Sequence, residues 1–392
     1  MARTRWVLLL TFVALAAVLL APRTNASGPF VPGSPDEVVE TVPAGGAARR
    51  ARAAARVALA QKPDDVEAAV LLARGYLQSA RAQGNDVRLI GRSQAALAPW
   101  WSVVEAPAGV RLLRATIKQS LHDFAGARVD LDALVLANPA DVQAWLTRAT
   151  VAQVVGDYAE AQKSCAALEG QSPLLVVTVC RAPLMALRGD ASGAAQTVDT
   201  AMSGASPELA AWALSVSGEL WQWAGDATRA AAHFAQALKL DPADDYTRGA
   251  WADLLLDEGR GVEAITLLAG HESNDALLLR LCLAQRAGKV DERACPLLSE
   301  RVAATRQRGD VVHRREESRF ALQVEGDAPR ALELAQANFA VQREPADVRV
   351  LLEAALAQNR PDAAGPALKW LRSTGFQWPA LRALAKQLEA SQ

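Results

Sequence analysis

The chain has 392 residues, of which 51% are hydrophobic but only 5% aromatic, and its formal net charge at pH 7 is -1. Without a basic excess the charge argues against a nucleic-acid partner, and the sequence carries no acidic tail. A composition rich in Ala and Leu suits closely packed helices better than sheets, which predicts an all-α fold.

Residues 1–26 have the layout of a targeting segment. Arg3 and Arg5 form a short basic region, and Trp6–Ala21 is an uncharged apolar run. Small residues follow at the end of the segment, where a signal peptidase would cut. The pattern predicts a cleaved secretory signal. The alternative is an uncleaved membrane anchor, although the run is shorter than the roughly 20 residues that a spanning helix needs.

A linker and an irregular helical stretch come next. Residues 27–46 are rich in Pro, Gly and Ser and show no helical periodicity, which predicts a flexible linker. Residues 47–107 contain a helix at Ala47–Gln61 and a hairpin from Val66 whose frame breaks before Pro99-Trp100-Trp101. We expect these aromatic residues to close a long helix against its neighbour; the alternative is an exposed aromatic hook.

A regular period begins at Ala108. Further repeats start at Val142, near Val176, at Ala211 and at Asp245, in steps of 34 or 35 residues. Chance rarely keeps a phase that long, and such a period indicates stacked helical hairpins. The frame is clearest in the Ala211 repeat, where small, bulky and turn-forming residues occupy set positions: Gly218, Trp221, Gly225, Ala230, Phe234, Ala237 and Pro242.

Each residue type in this frame has a steric reason. Small residues such as Gly218 let two helices approach closely, and bulky ones such as Phe234 fill the remaining space. Gly225 can adopt a positive φ and end the first helix. Asp226 suits the N-cap of the second helix, and Pro242 cannot continue it.

The frame resembles the tetratricopeptide repeat (TPR). The resemblance implies a right-handed α-α superhelix, a TPR solenoid of about eight to nine helical hairpins over residues 47–392. The most regular repeats span 108–278, and the ends, 47–107 and 279–392, are irregular. A terminal helix at Ala380–Ala390 is expected to cap the open end, because end repeats of a solenoid are atypical.

The whole arrangement, with GYLQSARAQGN near its start and VVHRREESRFAL near its end, resembles a family of exported bacterial TPR proteins without an assigned activity. This resemblance implies a protein of the periplasm or cell envelope, anchored to the inner membrane if residues 6–21 are retained. It also implies a scaffold that holds a protein or peptide partner on its concave face.

The TPR frame places the variable residues of the first helices on that face. In two adjacent repeats these positions hold a cluster of aromatic, amide and acidic residues, which predicts a partner-binding groove: Trp212, Glu219, Gln222, Trp223, Tyr246 and Asp253. The alternative is that the indoles pack between helices. The Lys, Arg and Asn residues with which some TPR proteins clamp a carboxylate are missing, so that activity is not implied.

Two further patterns involve charge and sulfur. The mixed-charge run His313–Arg319 is predicted to form a solvated helix face through pairs three and four residues apart; the alternative is a docking patch. Cys165 and Cys180 lie symmetrically about one turn between helices, and Cys282 and Cys295 about another. An exported chain can keep disulfides, so we predict both pairs as bridges. The alternative is four buried thiols.

No catalytic, metal-binding or cofactor-binding motif is found in the sequence. It has no HExxH, no GxSxG and no phosphate-binding loop. The leading hypothesis is therefore a non-enzymatic interaction module without cofactors. The second is a membrane-tethered assembly factor, and the third is an enzyme whose site lies in the irregular ends, near Trp100 or His313.

Overall fold

The computed structural model describes residues 46–81, 86–290, 293–309 and 312–390. This part of the chain is all-helical, with 20 α-helices and no strand. The predicted targeting segment, residues 1–26, lies outside the described residues, as does the predicted linker apart from Gly46. Within the described ranges, no helix is long and apolar enough to cross a membrane. The described residues from Ala51 onward belong to one compact unit.

The helices follow one another through short turns. In chain order they are α1 (Ala47–Gln61), α2 (Val66–Arg81), α3 (Val87–Ala96), α4 (Ala108–Ser120), α5 (Phe124–Ala137), α6 (Val142–Val154), α7 (Tyr158–Ala166), α8 (Leu174–Ala186), α9 (Ala191–Ala201), α10 (Pro207–Trp223), α11 (Ala227–Leu240), α12 (Asp245–Asp257), α13 (Gly261–Leu268), α14 (Asp275–Gly288), α15 (Ala294–Arg308), α16 (Arg314–Phe320), α17 (Ala328–Phe339), α18 (Pro345–Ala357), α19 (Gly365–Thr374) and α20 (Pro379–Glu389).

Consecutive helices pack in pairs, as in a TPR solenoid. The pair α10 and α11 shows why the sequence folds this way. Gly225 has a φ of +83° and ends α10, and the Asp226 side chain accepts a hydrogen bond from the backbone N–H of Arg229. The turn chemistry predicted for this repeat is confirmed.

Close packing inside the repeat depends on Gly218 and Phe234. Phe234 is fully buried, and its ring occupies the space beside Gly218. A Cβ added to Gly218 would lie 2.5 Å from Phe234 Cε1, well inside van der Waals contact. The small and bulky positions of the frame therefore interlock across the helix pair.

Buried Arg114 holds the irregular N-terminal part together. Its side chain is almost fully buried in α4. The guanidinium donates to the carbonyl oxygens of Trp100 at 2.7 Å and Trp101 at 2.9 Å, and its Nε donates to Asp130 Oδ2 at 2.8 Å. Trp100 and Trp101 are half-buried and pack against an apolar cluster, in line with the expected core role and not with an exposed hook.

Two disulfides join neighbouring helices. Cys165 in α7 is bonded to Cys180 in α8, with their Cα atoms 5.6 Å apart. Cys282 in α14 is bonded to Cys295 in α15, with a Cα separation of 4.8 Å. Each bridge crosses the turn of a single helix pair, so it constrains that pair locally.

The C-terminal helices pack back onto the central repeats. One apolar cluster includes residues of α6 to α11 together with residues of α17 to α20. Phe376 is fully buried and contacts Trp223 of α10 edge-on, with ring centroids 5.4 Å apart. The last helix was expected to cap the open end of the solenoid. Instead, α20 packs on α18 and its apolar residues join the core of the central repeats.

We expect Gly218→Ala to lower the free energy of unfolding by about 1–3 kcal/mol, because the new methyl group overpacks the contact with Phe234. Gly91→Ala is the matched control, since Gly91 lies inside α3 and a Cβ there meets no atom within 4 Å. Replacing this glycine should raise the free energy of unfolding by about 0.5–1 kcal/mol through helix propensity. Urea unfolding followed by circular dichroism measures both. Equal shifts in the two variants would contradict the interlock.

Candidate binding cavity

A cavity of about 600 Å³ lies between the central repeats and the C-terminal helices. One wall comes from first helices of successive repeats, α4, α6, α10 and α12, together with residues at the end of α8. The opposite wall comes from α16, α17, α18 and the segments beside them. Volumes of about 300–1,000 Å³ are typical of ligand sites, although this lining is more polar than most.

The wall of first helices repeats one position of the TPR frame. Gln119, Gln153, Leu187 and Gln222 all line the cavity and follow one another at steps of 34, 34 and 35 residues. Each therefore occupies the corresponding place in its own repeat. We call the three glutamines the amide ladder.

The structure brings five of the six predicted groove residues to this cavity. Its lining includes Glu219, Gln222, Trp223, Tyr246 and Asp253. Trp212 is not in the lining; its side chain is 37% exposed elsewhere on α10. The C-terminal helices supply the facing wall, so these residues face a partly enclosed cavity.

Glu219 and Tyr246 form a pair inside the cavity. The Tyr246 hydroxyl donates to Glu219 Oε1 at 2.7 Å. Burial raises the pKa of Glu219 to about 7, because the hydrogen bond from Tyr246 does not outweigh the loss of hydration. Tyr246 lines the cavity, where burial and the nearby carboxylates of Glu219 and Glu344 raise its pKa well above the ordinary value.

Asp253 is held in an ion pair with two arginines. Arg280 Nη2 donates to its Oδ2 at 2.6 Å, and Arg319 Nη2 donates to its Oδ1 at 2.9 Å. Burial acts to raise the pKa of Asp253, but the two guanidinium groups outweigh it and hold the pKa well below its ordinary value. Arg319 comes from α16, so this ion pair joins the two walls.

The mixed-charge run does not form the predicted solvated face. His313, Arg315, Glu316 and Arg319 line the cavity, because the C-terminal part turns back toward the central repeats. Burial acts to raise the pKa of Glu316, but positive charges, with Arg315 foremost, lower it to about 2. The run provides paired charges to a wall of the cavity.

His122 is a cavity residue that was not singled out from the sequence. It stands at the turn position of the Ala108 repeat, where the Ala211 repeat has Gly225, and its φ is +61°. A left-handed conformation costs a non-glycine residue about 1–2 kcal/mol. Its ring stacks on Phe124 at 5.5 Å, and burial lowers its pKa to about 4. In the sequence, a histidine at the turn position where the repeat usually has glycine could have drawn attention to His122.

Residues of catalytic type also meet outside the cavity. The carboxylate of Asp199 accepts from Ser217 Oγ at 2.6 Å and from Trp221 Nε1 at 3.0 Å, and it lies 3.0 Å from His233 Nε2. Ser217 therefore bonds to the carboxylate and not to the imidazole, so no serine–histidine nucleophile pair forms here. In the described ranges, no group of three or more His, Cys, Asp or Glu residues could hold a metal ion.

Comparison with known proteins gives structural similarity only. No protein-family model and no curated protein matches the sequence. The chain is similar to a TPR protein from Parabacteroides merdae, with 16% identity, coverage of 72% of this chain and 98% of that one, and a TM-score of 0.33. The chain is also similar to yeast Tom70, with 13% identity, coverage of 88% of this chain and 92% of that one, and a TM-score of 0.32.

A third similar structure is the human IFIT1 dimer with m7Gppp-AAAA, at 10% identity, with coverage of 88% of this chain and 86% of that one and a TM-score of 0.40. The RNA named there is a ligand of IFIT1. The repeat architecture of the present chain follows from its own helix pairs.

The raised pKa of Glu219 predicts a pH-dependent stability. The ordinary pKa is 4.5 and the folded value about 7, so the folded chain binds more protons between these values. The contribution of Glu219 to the unfolding free energy therefore falls as pH rises from about 4.5 to about 7. Between about pH 5 and about pH 8, the free energy of urea unfolding should fall further in wild type than in Glu219→Gln.

The control for this measurement is Glu208→Gln, which removes one carboxylate from the exposed first turn of the same helix. A stability difference between wild type and Glu219→Gln that stays constant across the two pH values would contradict a raised pKa.

Proposed function

We propose that the protein is a non-enzymatic interaction module of TPR type, which holds a protein or peptide partner in the cavity and works in the bacterial cell envelope after export. The observation that carries the proposal is the amide ladder. Gln119, Gln153 and Gln222 are half-buried and face one cavity, and side-chain amides offer both donors and acceptors to a bound chain.

Support for a binding role comes from the arrangement of charge in the cavity. Several of its charged side chains are in ion pairs that join elements, such as Asp253 with Arg280 and Arg319 and Arg349 with Asp257. These pairs fix the walls. The amide ladder and the Glu219–Tyr246 pair are among the polar groups of the lining that lie outside these ion pairs.

Support for export comes from the two disulfides, Cys165–Cys180 and Cys282–Cys295. Disulfides persist in oxidising compartments such as the periplasm and are rare in the cytosol. The same bridges suit a chain tethered by residues 6–21, and the mass of the mature N-terminus distinguishes a cleaved from a tethered protein.

Affinity capture from cross-linked cell envelopes tests the proposal, with wild type and the double variant Gln222→Ala, Glu219→Ala as baits. We expect partners bound by wild type to be lost from the double variant, because it removes an amide and a carboxylate from the cavity. Trp223 is left intact, since its contact with Phe376 belongs to the core and a Trp→Ala change there would cost about 3–5 kcal/mol of stability.

The matched control is Trp212→Ala, on the same helix but outside the cavity lining. Partners retained by Trp212→Ala and lost from the double variant support the cavity as the binding site. Partners retained by every bait would contradict it.

A further inference from the structure

The amide ladder has hydrogen-bonding capacity that the described residues do not use. Among those residues, the side-chain amides of Gln119 and Gln222 have no partner, and Gln153 makes only one bond, from Nε2 to the Cys180 carbonyl at 3.4 Å. Half-buried polar groups are ordinarily hydrogen-bonded to protein, water or ligand. An amide that presents a donor and an acceptor side by side matches a peptide bond, which has the same two groups.

The spacing of the ladder also matches an extended polypeptide. Helices that pack directly lie about 8–10 Å apart, and we expect a similar interval between the ladder positions of consecutive first helices. An extended chain advances about 3.3 Å per residue, so about three residues of a bound chain lie between one ladder position, or rung, and the next. Leu187 occupies the rung between Gln153 and Gln222 and supplies an apolar contact there.

Glu219 differs from the other carboxylates of the cavity. Five of these carboxylates each have an arginine nitrogen within 4.0 Å: Asp245, Asp253, Glu316, Glu344 and Glu353. The bonding partner of Glu219 within the described ranges is the neutral hydroxyl of Tyr246. Its carboxylate thus has no cation within 4.0 Å among the described residues and is bonded to the Tyr246 hydroxyl. Tyr246 and Trp223 are both in the cavity lining, and the faces of aromatic rings attract positive charge.

We propose that the cavity binds an extended segment of polypeptide, with its backbone along the amide ladder and a Lys or Arg side chain paired with Glu219. This inference rests on the proposed function of the cavity as a partner site and names the chemical class of the partner. The basic side chain of the ligand would supply the cation that Glu219 lacks in the described residues. The aromatic rings of Tyr246 and Trp223 enclose the alkyl stem of the basic side chain.

Isothermal titration calorimetry with the full chain and defined peptides tests the inference. The probes are two N-acetylated, C-amidated peptides of Ala, Gly and Ser, about nine residues long to span the ladder, with one Lys at the first or at the last position, because Glu219 lies on the helix of Gln222 at one end of the ladder. Matched peptides carry norleucine or Glu in place of each Lys. Titration at about pH 8, above the pKa of Glu219 near 7, keeps the carboxylate ionised.

We expect the tighter-binding Lys peptide to bind more tightly than its norleucine and Glu counterparts. Glu219→Gln should weaken this Lys peptide about ten-fold and leave the norleucine peptide unchanged, because a charge-assisted hydrogen bond is lost. Gln119→Met, similar in size but without the amide, should weaken the Lys and norleucine peptides alike by about five-fold. Glu208→Gln should change neither.

Equal affinities for the Lys, norleucine and Glu peptides of both sets, unchanged by Glu219→Gln and Gln119→Met, would overturn the inference. So would an amine such as n-butylamine that binds as tightly as the Lys peptide, because the ladder would then contribute nothing. Either result leaves the proposed function to the envelope capture, in which partners lost from the cavity variant would still identify a binding module with a different ligand class.

Discussion

The packing of the C-terminal helices against the central repeats is the constraint on which the cavity depends. Phe376 lies between Trp223 and Trp370, with ring centroids 5.4 and 5.6 Å away. Trp370 Nε1 donates to the Tyr158 hydroxyl at 2.6 Å, and the backbone N–H of Arg343 donates to the Val154 carbonyl at 2.8 Å. Without these contacts the inner helices would form an open groove, and the second wall would be absent.

Electrostatics then divide the cavity into a structural part and a part open to a partner. Arg319 bonds to Asp253, and Arg349 to Asp257, so charges from the C-terminal helices are neutralised by charges from the central repeats. Breaking such a pair from one side leaves an uncompensated charge, which favours the folded-back arrangement. Glu219 has no such arginine, and burial raises its pKa to about 7.

Local features of the fold could be predicted from the sequence because they depend on neighbouring residues. Gly225 and Asp226 specify their turn within a few residues, and Gly218 and Phe234 pack within one repeat. The return of the C-terminal part could not be predicted in this way. Its contacts join residues far apart in sequence, such as Tyr158 with Trp370 at a separation of 212 residues, and repeat periodicity carries no information about them. For that reason the site was predicted as an open groove, and the charged run from His313 as a solvated face.

A double-mutant cycle on Tyr158→Phe and Trp370→Phe tests the folded-back arrangement most directly. The two side chains meet only if the C-terminal helices pack against the central repeats, and the cycle cancels the separate cost of each substitution. From urea unfolding of the four proteins, we expect a coupling energy of about 0.5–1.5 kcal/mol, the usual worth of one hydrogen bond. Additivity within about 0.3 kcal/mol would contradict the contact, and with it the second wall of the cavity.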